Sequence, residues 1–202
     1  MNPISELKRK VYITRKCRIE ASERTLRKHN LYQSVQIYYS VLIVAYSIWN
    51  IQPIDMNGKI SPASLFLMIV SIIFSMFSLY ITTKNLQEKY FNLKINYLEL
   101  DKFYGRLSET QADSNITELR AQYNNLLSAV DNHDSIDYFR VLLNDRDERR
   151  DLSPERLSEL ERHIKKSQRL ETFYKWLLYL APLTIPLACK MLMSGLNTLF
   201  TV

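Results

Sequence analysis

Residues 30–83 read NLYQSVQIYYSVLIVAYSIWNIQPI, DMNGK, ISPASLFLMIVSIIFSMFSLYITT, and this stretch decides the fold. Asn30 to Ile54 is 25 consecutive residues without Asp, Glu, Lys or Arg, Ile60 to Thr83 is another 24, and five residues separate them. A helix needs about 20 mainly apolar residues to cross a hydrocarbon core roughly 30 Å thick, so each run is long enough to span with some tilt. The pair predicts a transmembrane helical hairpin.

Beyond the second run its heptad register continues. Leu65, Ile69, Ile72, Met76, Leu79, Thr83, Leu86, Tyr90, Leu93, Tyr97, Leu100, Tyr104 and Leu107 follow one another at spacings of four and three. This predicts one uninterrupted rod, membrane segment and cytosolic stalk together, about 65 Å long at about 1.5 Å per residue. Leu86, Tyr90, Leu93, Tyr97, Leu100, Tyr104 and Leu107 are then the candidate oligomerisation stripe, because a heptad seam needs a partner.

Each membrane run also carries a polar stripe. Gln36, Ser40, Ser47 and Asn50 share one face of the first, and Ser64, Ser71, Ser75, Ser78 and Thr82 share a compatible register in the second. Polar groups within a bilayer seek protein or water, so the stripes either line a water-filled path between several copies or let helix backbones approach closely. No charged residue lies in either run, which disfavours a proton relay or a charged selectivity ring there.

Charge fixes the orientation expected of the hairpin. The chain carries a net +6, and residues 1–30 alone hold nine Lys or Arg against Glu6, Glu20 and Glu23, whereas residues 84–175 are nearly balanced. The loop between the runs carries only Asp55 and Lys59, while Lys84, Lys89 and Lys94 follow the second run. By the positive-inside rule both ends of the hairpin are cytoplasmic. Residues 4–29 read as a basic helix, expected either to lie on anionic headgroups or simply to retain the N-terminus inside.

Four parts follow: a basic cytosolic helix (1–30), the hairpin (31–83), a cytosolic helical region (84–175) and an apolar C-terminal segment (176–202). Within the third, Ser108 to Ser114 breaks the stalk, and Asn115 with Glu118 forms a capping-box signal for a helix that folds back on it. DRDERRD at 145–151 reads as solvated surface, and Ser153-Pro154 as a helix start. From Trp176 onward the only charge is Lys190, so a third membrane helix is expected, kinked by Pro182 and Pro186. The fold class is therefore an all-α membrane protein.

Chemistry is sparse. The three glycines are scattered, which excludes a Gly-rich phosphate loop, and Cys17 and Cys189 offer neither a disulfide framework nor paired metal ligands. His29, His133 and His163 are isolated from one another. No enzyme, cofactor or metal is expected, and no specific nucleic-acid binding.

A basic helix, a two-helix hairpin with a very short loop, a long helix continuing the second span, then Tyr123-x-x-Leu126-Leu127 and Asn132-His133-x-x-x-Asp137 together resemble the SLATT domain. These are bacterial two-transmembrane effectors associated with nucleotide synthases and nucleotide sensors. The C-terminal apolar segment resembles the subgroup encoded beside reverse transcriptases. The resemblance implies an inner-membrane effector of antiphage defence that opens a pore or disrupts the membrane as a homo-oligomer, causing abortive infection. Its trigger is implied to come from a sensor protein, a nucleotide-second-messenger synthase or a reverse transcriptase encoded nearby. The alternative is a non-conducting membrane scaffold that recruits a cytosolic partner through its helical hairpin.

Overall fold

In the computed structural model the backbone is described for residues 3–49, 62–109 and 115–199, and the side chains for 3–48, 64–109 and 115–182. The inter-span loop, Asn50, Pro186, Cys189 and Lys190 lie outside the described side chains. The described backbone is helical, without a strand: α1 (Pro3–Trp49), α2 (Pro62–Thr83), α3 (Leu86–Glu109), α4 (Ile116–Ser128), α5 (Ser135–Asn144), α6 (Arg146–Arg150) and α7 (Pro154–Leu199). It divides into two compact units, Met1–His29 with Asn85–Gln168, and Asn30–Lys84 with Arg169–Val202.

The longest rod is α1, in which the basic segment and the first apolar run form one helix. Neither Gly nor Pro occurs between Pro3 and Trp49, so nothing in the sequence stops it. The rod expected from the second run is interrupted. α2 ends at Thr83, Asn85 adopts φ 45°, and α3 starts at Leu86. Asn is among the few non-glycine residues that enter the left-handed region readily, and two Thr before it are weak helix formers. The Asn85 carbonyl already accepts the amide of Lys89 at 2.9 Å, so one residue closes the first helix and opens the next.

In the first unit the N-terminal part of α1 packs with α3 and α4. Leu7, Val11, Leu100, Phe103, Leu107 and Tyr123 form the core, flanked by Tyr104, Ile116, Leu119, Leu126 and Leu127. Fully burying each large apolar side chain contributes about 1.5–3 kcal/mol. The buried face of α3 is Leu93, Asn96, Leu100, Phe103 and Leu107. Leu93, Leu100 and Leu107 of the expected oligomerisation stripe therefore find their partners inside the chain, whereas Leu86, Tyr90, Tyr97 and Tyr104 stay half-buried. The basic helix is likewise not a free membrane-surface helix. Val11, Thr14, Cys17, Arg18, Ala21, Ser22 and Thr25 are buried, and its cations are spent largely on carboxylates of the same unit.

α4 is capped by Asn115, whose side chain accepts the Thr117 amide at 3.2 Å, and α7 by Ser153, which accepts the Arg156 amide at 3.3 Å. In the second unit the C-terminal part of α1 packs with α2 and α7. Gln36 Nε2 donates to Ser78 Oγ at 3.0 Å, and Tyr39 stacks on Phe74 with ring centroids 5.8 Å apart. Tyr39 Oη donates to the Leu178 carbonyl at 2.9 Å, and Tyr38 packs on Tyr179.

Candidate functional site

Two constellations bear on function, one in each unit. In the unit containing α2, the hydroxyls of the polar stripes mostly bond back onto their own helices. Ser71 reaches the Leu67 carbonyl at 2.8 Å, Ser75 that of Ser71 at 2.9 Å, and Thr82 that of Ser78 at 3.0 Å. Ser40 and Ser47 do the same in α1, each at 2.8 Å. Such back-bonding satisfies a hydroxyl within a low-dielectric environment without a partner helix. Gln36 and Ser78 instead join the two helices, and Ser64 also makes an interaction. Ser75 and Thr82 are exposed, while Ser71 and Ser78 are half-buried, so the stripe is split between packing and open surface.

In the other unit, charge is folded into the interior. Arg18, 1% exposed, donates to the backbone carbonyls of Asp131 and Leu127 and so holds the α4–α5 connection over α1. Arg24 forms a two-toothed fork on the fully buried Asp137, with Nε at 2.9 Å and an NH2 group at 2.8 Å, and also contacts Asp134 at 2.6 Å. Asp137 accepts the Asp134 amide at 3.2 Å, completing a capping box at the start of α5. Next along, Asp145 is held by Lys16 and Tyr12, each at 2.8 Å, and it caps α6 through the amides of Asp147 and Glu148. Arg9 then forks onto Glu148 at 2.9 and 2.7 Å.

These contacts explain the electrostatics. The Lys16 ammonium beside it holds the Asp145 carboxyl well below the usual carboxylate range, against the opposing effect of burial. Burial pushes the Cys17 thiol up to about 12, so it is an inert core residue and not a nucleophile. Burial, with the Arg18 cation nearby, lowers the His133 pKa and keeps its imidazole neutral. The arrangement is a clamp: cations of α1 grip acids at the starts of α5 and α6.

The structure brings the Asn-His-Asp pattern to this clamp. Tyr123 shares a 2.7 Å hydrogen bond with Thr14, Leu126 accepts the Asn96 side chain through its carbonyl at 2.7 Å, and Asn132 accepts the His133 amide at 3.1 Å. The segment DRDERRD is thus not wholly solvated: Asp145 and Glu148 are docked on α1, whereas Asp147 and Arg150 remain exposed. Sequence reading missed Lys16, Arg18 and Arg24 as anchors. Arg9, Lys16 and Arg24 follow at seven and eight residues along one face of α1, the signal that could have marked two of them; Arg18 lies off that face.

The sequence profile of the SMODS and SLOG-associating 2TM effector domain family 5 matches residues 1–189. The chain belongs to this family. Membership in this SLATT family makes it a membrane effector domain of defence systems. No curated protein and no solved structure matches the chain. Among the described residues one helical segment, beginning at Ser64, is long and apolar enough to cross a membrane.

Proposed function

We propose that this SLATT protein is a membrane effector of bacterial antiphage defence that permeabilises the inner membrane as a homo-oligomer. A partner sensor or nucleotide signal releases it, and loss of the membrane barrier aborts infection. Residues 1–30 and 84–175 are cytoplasmic in this reading, and the C-terminal segment 176–202 provides a third span.

The observation that carries the reading is the surface of α2. Met68, Ile72, Met76 and Leu79 are each more than half exposed, on a helix without a charge, and water cannot cover such a surface at acceptable cost. Lipid covers part of it and further copies cover the rest. Several copies are required because one helical hairpin encloses no path; a ring of copies can place Ser71, Ser75 and Ser78 around one. The function needs no catalytic residue, since permeabilisation is a packing and hydration event.

The test is membrane potential and growth on induced expression. Ser71→Ala, Ser75→Ala and Ser78→Ala together keep close helix approach but remove the hydroxyls, whereas the three Leu substitutions keep insertion and fill the stripe. Depolarisation that falls in both sets supports a hydrated path. Unchanged depolarisation in the Ala set, with failed assembly in the Leu set, makes the stripe a packing surface. A protein that leaves the potential intact while retaining a cytosolic partner in pull-downs is a scaffold.

A further inference from the structure

α3 is apolar on two opposite sides. One side is buried within its unit, through Leu93, Leu100, Phe103 and Leu107. On the other, Phe91, Ile95 and Leu98 are 48%, 55% and 46% exposed, and they follow at spacings of four and three. The same seam continues to the exposed Glu88 on one side and to Lys102 and Gly105 on the other. It is distinct from the heptad stripe of Leu93, Leu100 and Leu107, which the chain uses internally.

We propose that this seam is where two copies of the chain meet, α3 beside α3 and parallel. The inference rests on the homo-oligomeric reading above and names the surface for it. Ile95 falls at an a position and Leu98 at a d position, the combination that favours two-stranded parallel coiled coils. The flanking charges are self-complementary. In a parallel pair Lys94 at g faces Glu99 of the second copy at e, and the two-fold axis repeats the contact; Asp101, at the next g position, already pairs with Arg15 of its own chain.

Copies inserted the same way into one bilayer are related by an axis along its normal, which pairs equivalent helices in parallel where they run along that axis. Gly105 leaves open space where a side chain would stand, since an added Cβ meets nothing within 4 Å, so helices can approach there. The seam is short. Glu88 and Lys102 bring like charges together in a parallel pair and close it off at both ends. With three apolar residues from each copy the contact is weak, and it forms when copies are concentrated in a membrane.

The test is disulfide trapping in membranes, in a Cys17→Ala, Cys189→Ala background. Phe91→Cys and Leu98→Cys are each expected to give several-fold more covalent dimer under mild oxidation than Ser128→Cys, an exposed site on α4. Dimer yields no higher than the Ser128→Cys control overturn the proposal, and dimer from Leu98→Cys without any from Phe91→Cys overturns the parallel arrangement. A second measurement avoids the cysteine background: Ile95→Glu in the otherwise unchanged protein should lower the yield of amine-cross-linked dimer in membranes several-fold, and an unchanged yield overturns the seam. Potassium leak measured on the same strains separates this from the functional reading. Leak that persists without trapping sinks the seam and leaves the effector standing; trapping without leak supports the seam and counts against the pore.

Discussion

Replacing Asp137 is the most informative perturbation of the clamp. Its carboxylate is fully buried, and Arg24, whose side chain is 14% exposed, forks onto it at 2.9 and 2.8 Å. Two unit charges about 4 Å apart interact by about 4 kcal/mol at an effective dielectric constant near 20, and removing one partner of a buried pair typically costs about 3–5 kcal/mol. Asp134 touches the same guanidinium at 2.6 Å, but it is 63% exposed and compensates little. Asp137→Ala also loses the capping-box bond to the Asp134 amide, so its expected cost lies in the upper part of that range. For a chain of 202 residues this is a fall in Tm of roughly 6–20 °C. The assay is thermal unfolding of the detergent-solubilised protein for Arg24→Met, Asp137→Asn and the double variant. The double variant should cost at least about 2 kcal/mol less than the sum of the singles, because a lone buried charge is worse than none. Additive effects, each under about 0.5 kcal/mol, would refute the clamp.

Further outcomes follow from the same geometry. The Asp145 carboxyl is depressed in the folded chain, so Lys16–Asp145 contributes stability fully above about pH 4 that is lost as pH falls further; Asp145→Asn should lower stability at pH 7 and flatten the acid limb of a stability–pH curve. His133 is also depressed but is a base, so the unfolded chain takes up its proton first, and stability should decline as pH drops below about 6.5; His133→Gln should remove that slope in urea titrations run between pH 5 and pH 7.5. Leu100, with no exposed surface, should cost about 2–5 kcal/mol on replacement by Ala, measured as a lowered urea midpoint. At Asn85, Gly should be tolerated within about 1 kcal/mol, whereas Val should cost about 1–2 kcal/mol because its branched Cβ resists positive φ; the two melting curves decide it.

Charge-free runs and heptad spacing carried the helical architecture, since they report directly on helix length and on which faces are apolar. The same periodicity was ambiguous about partners. Leu93, Leu100 and Leu107 satisfy a seam between copies as well as a seam against another helix of the same chain, and only the path of α1 decides between them. The break at Asn85 was hidden because its cause is a tolerance for one backbone conformation, not a Pro or Gly. At the clamp, the Asn132-His133-Asp137 pattern was visible but its partner was not. Arg18 and Arg24 lie more than 100 residues earlier in a segment whose surplus charge reads as a topology signal, and the acids that neutralise it are scattered through a nearly balanced region. Long-range ion pairing leaves no local periodicity.

Potassium efflux from sealed vesicles, followed as the ratio of purified protein to lipid is raised, tests the central claim most directly. A pore built from several copies predicts efflux that rises more steeply than in proportion to protein, and that falls when Ile95 and Leu98 are both replaced by Lys. Vesicles that stay sealed at every ratio, while protease protection shows the chain inserted and cross-linking shows it assembled, would contradict it.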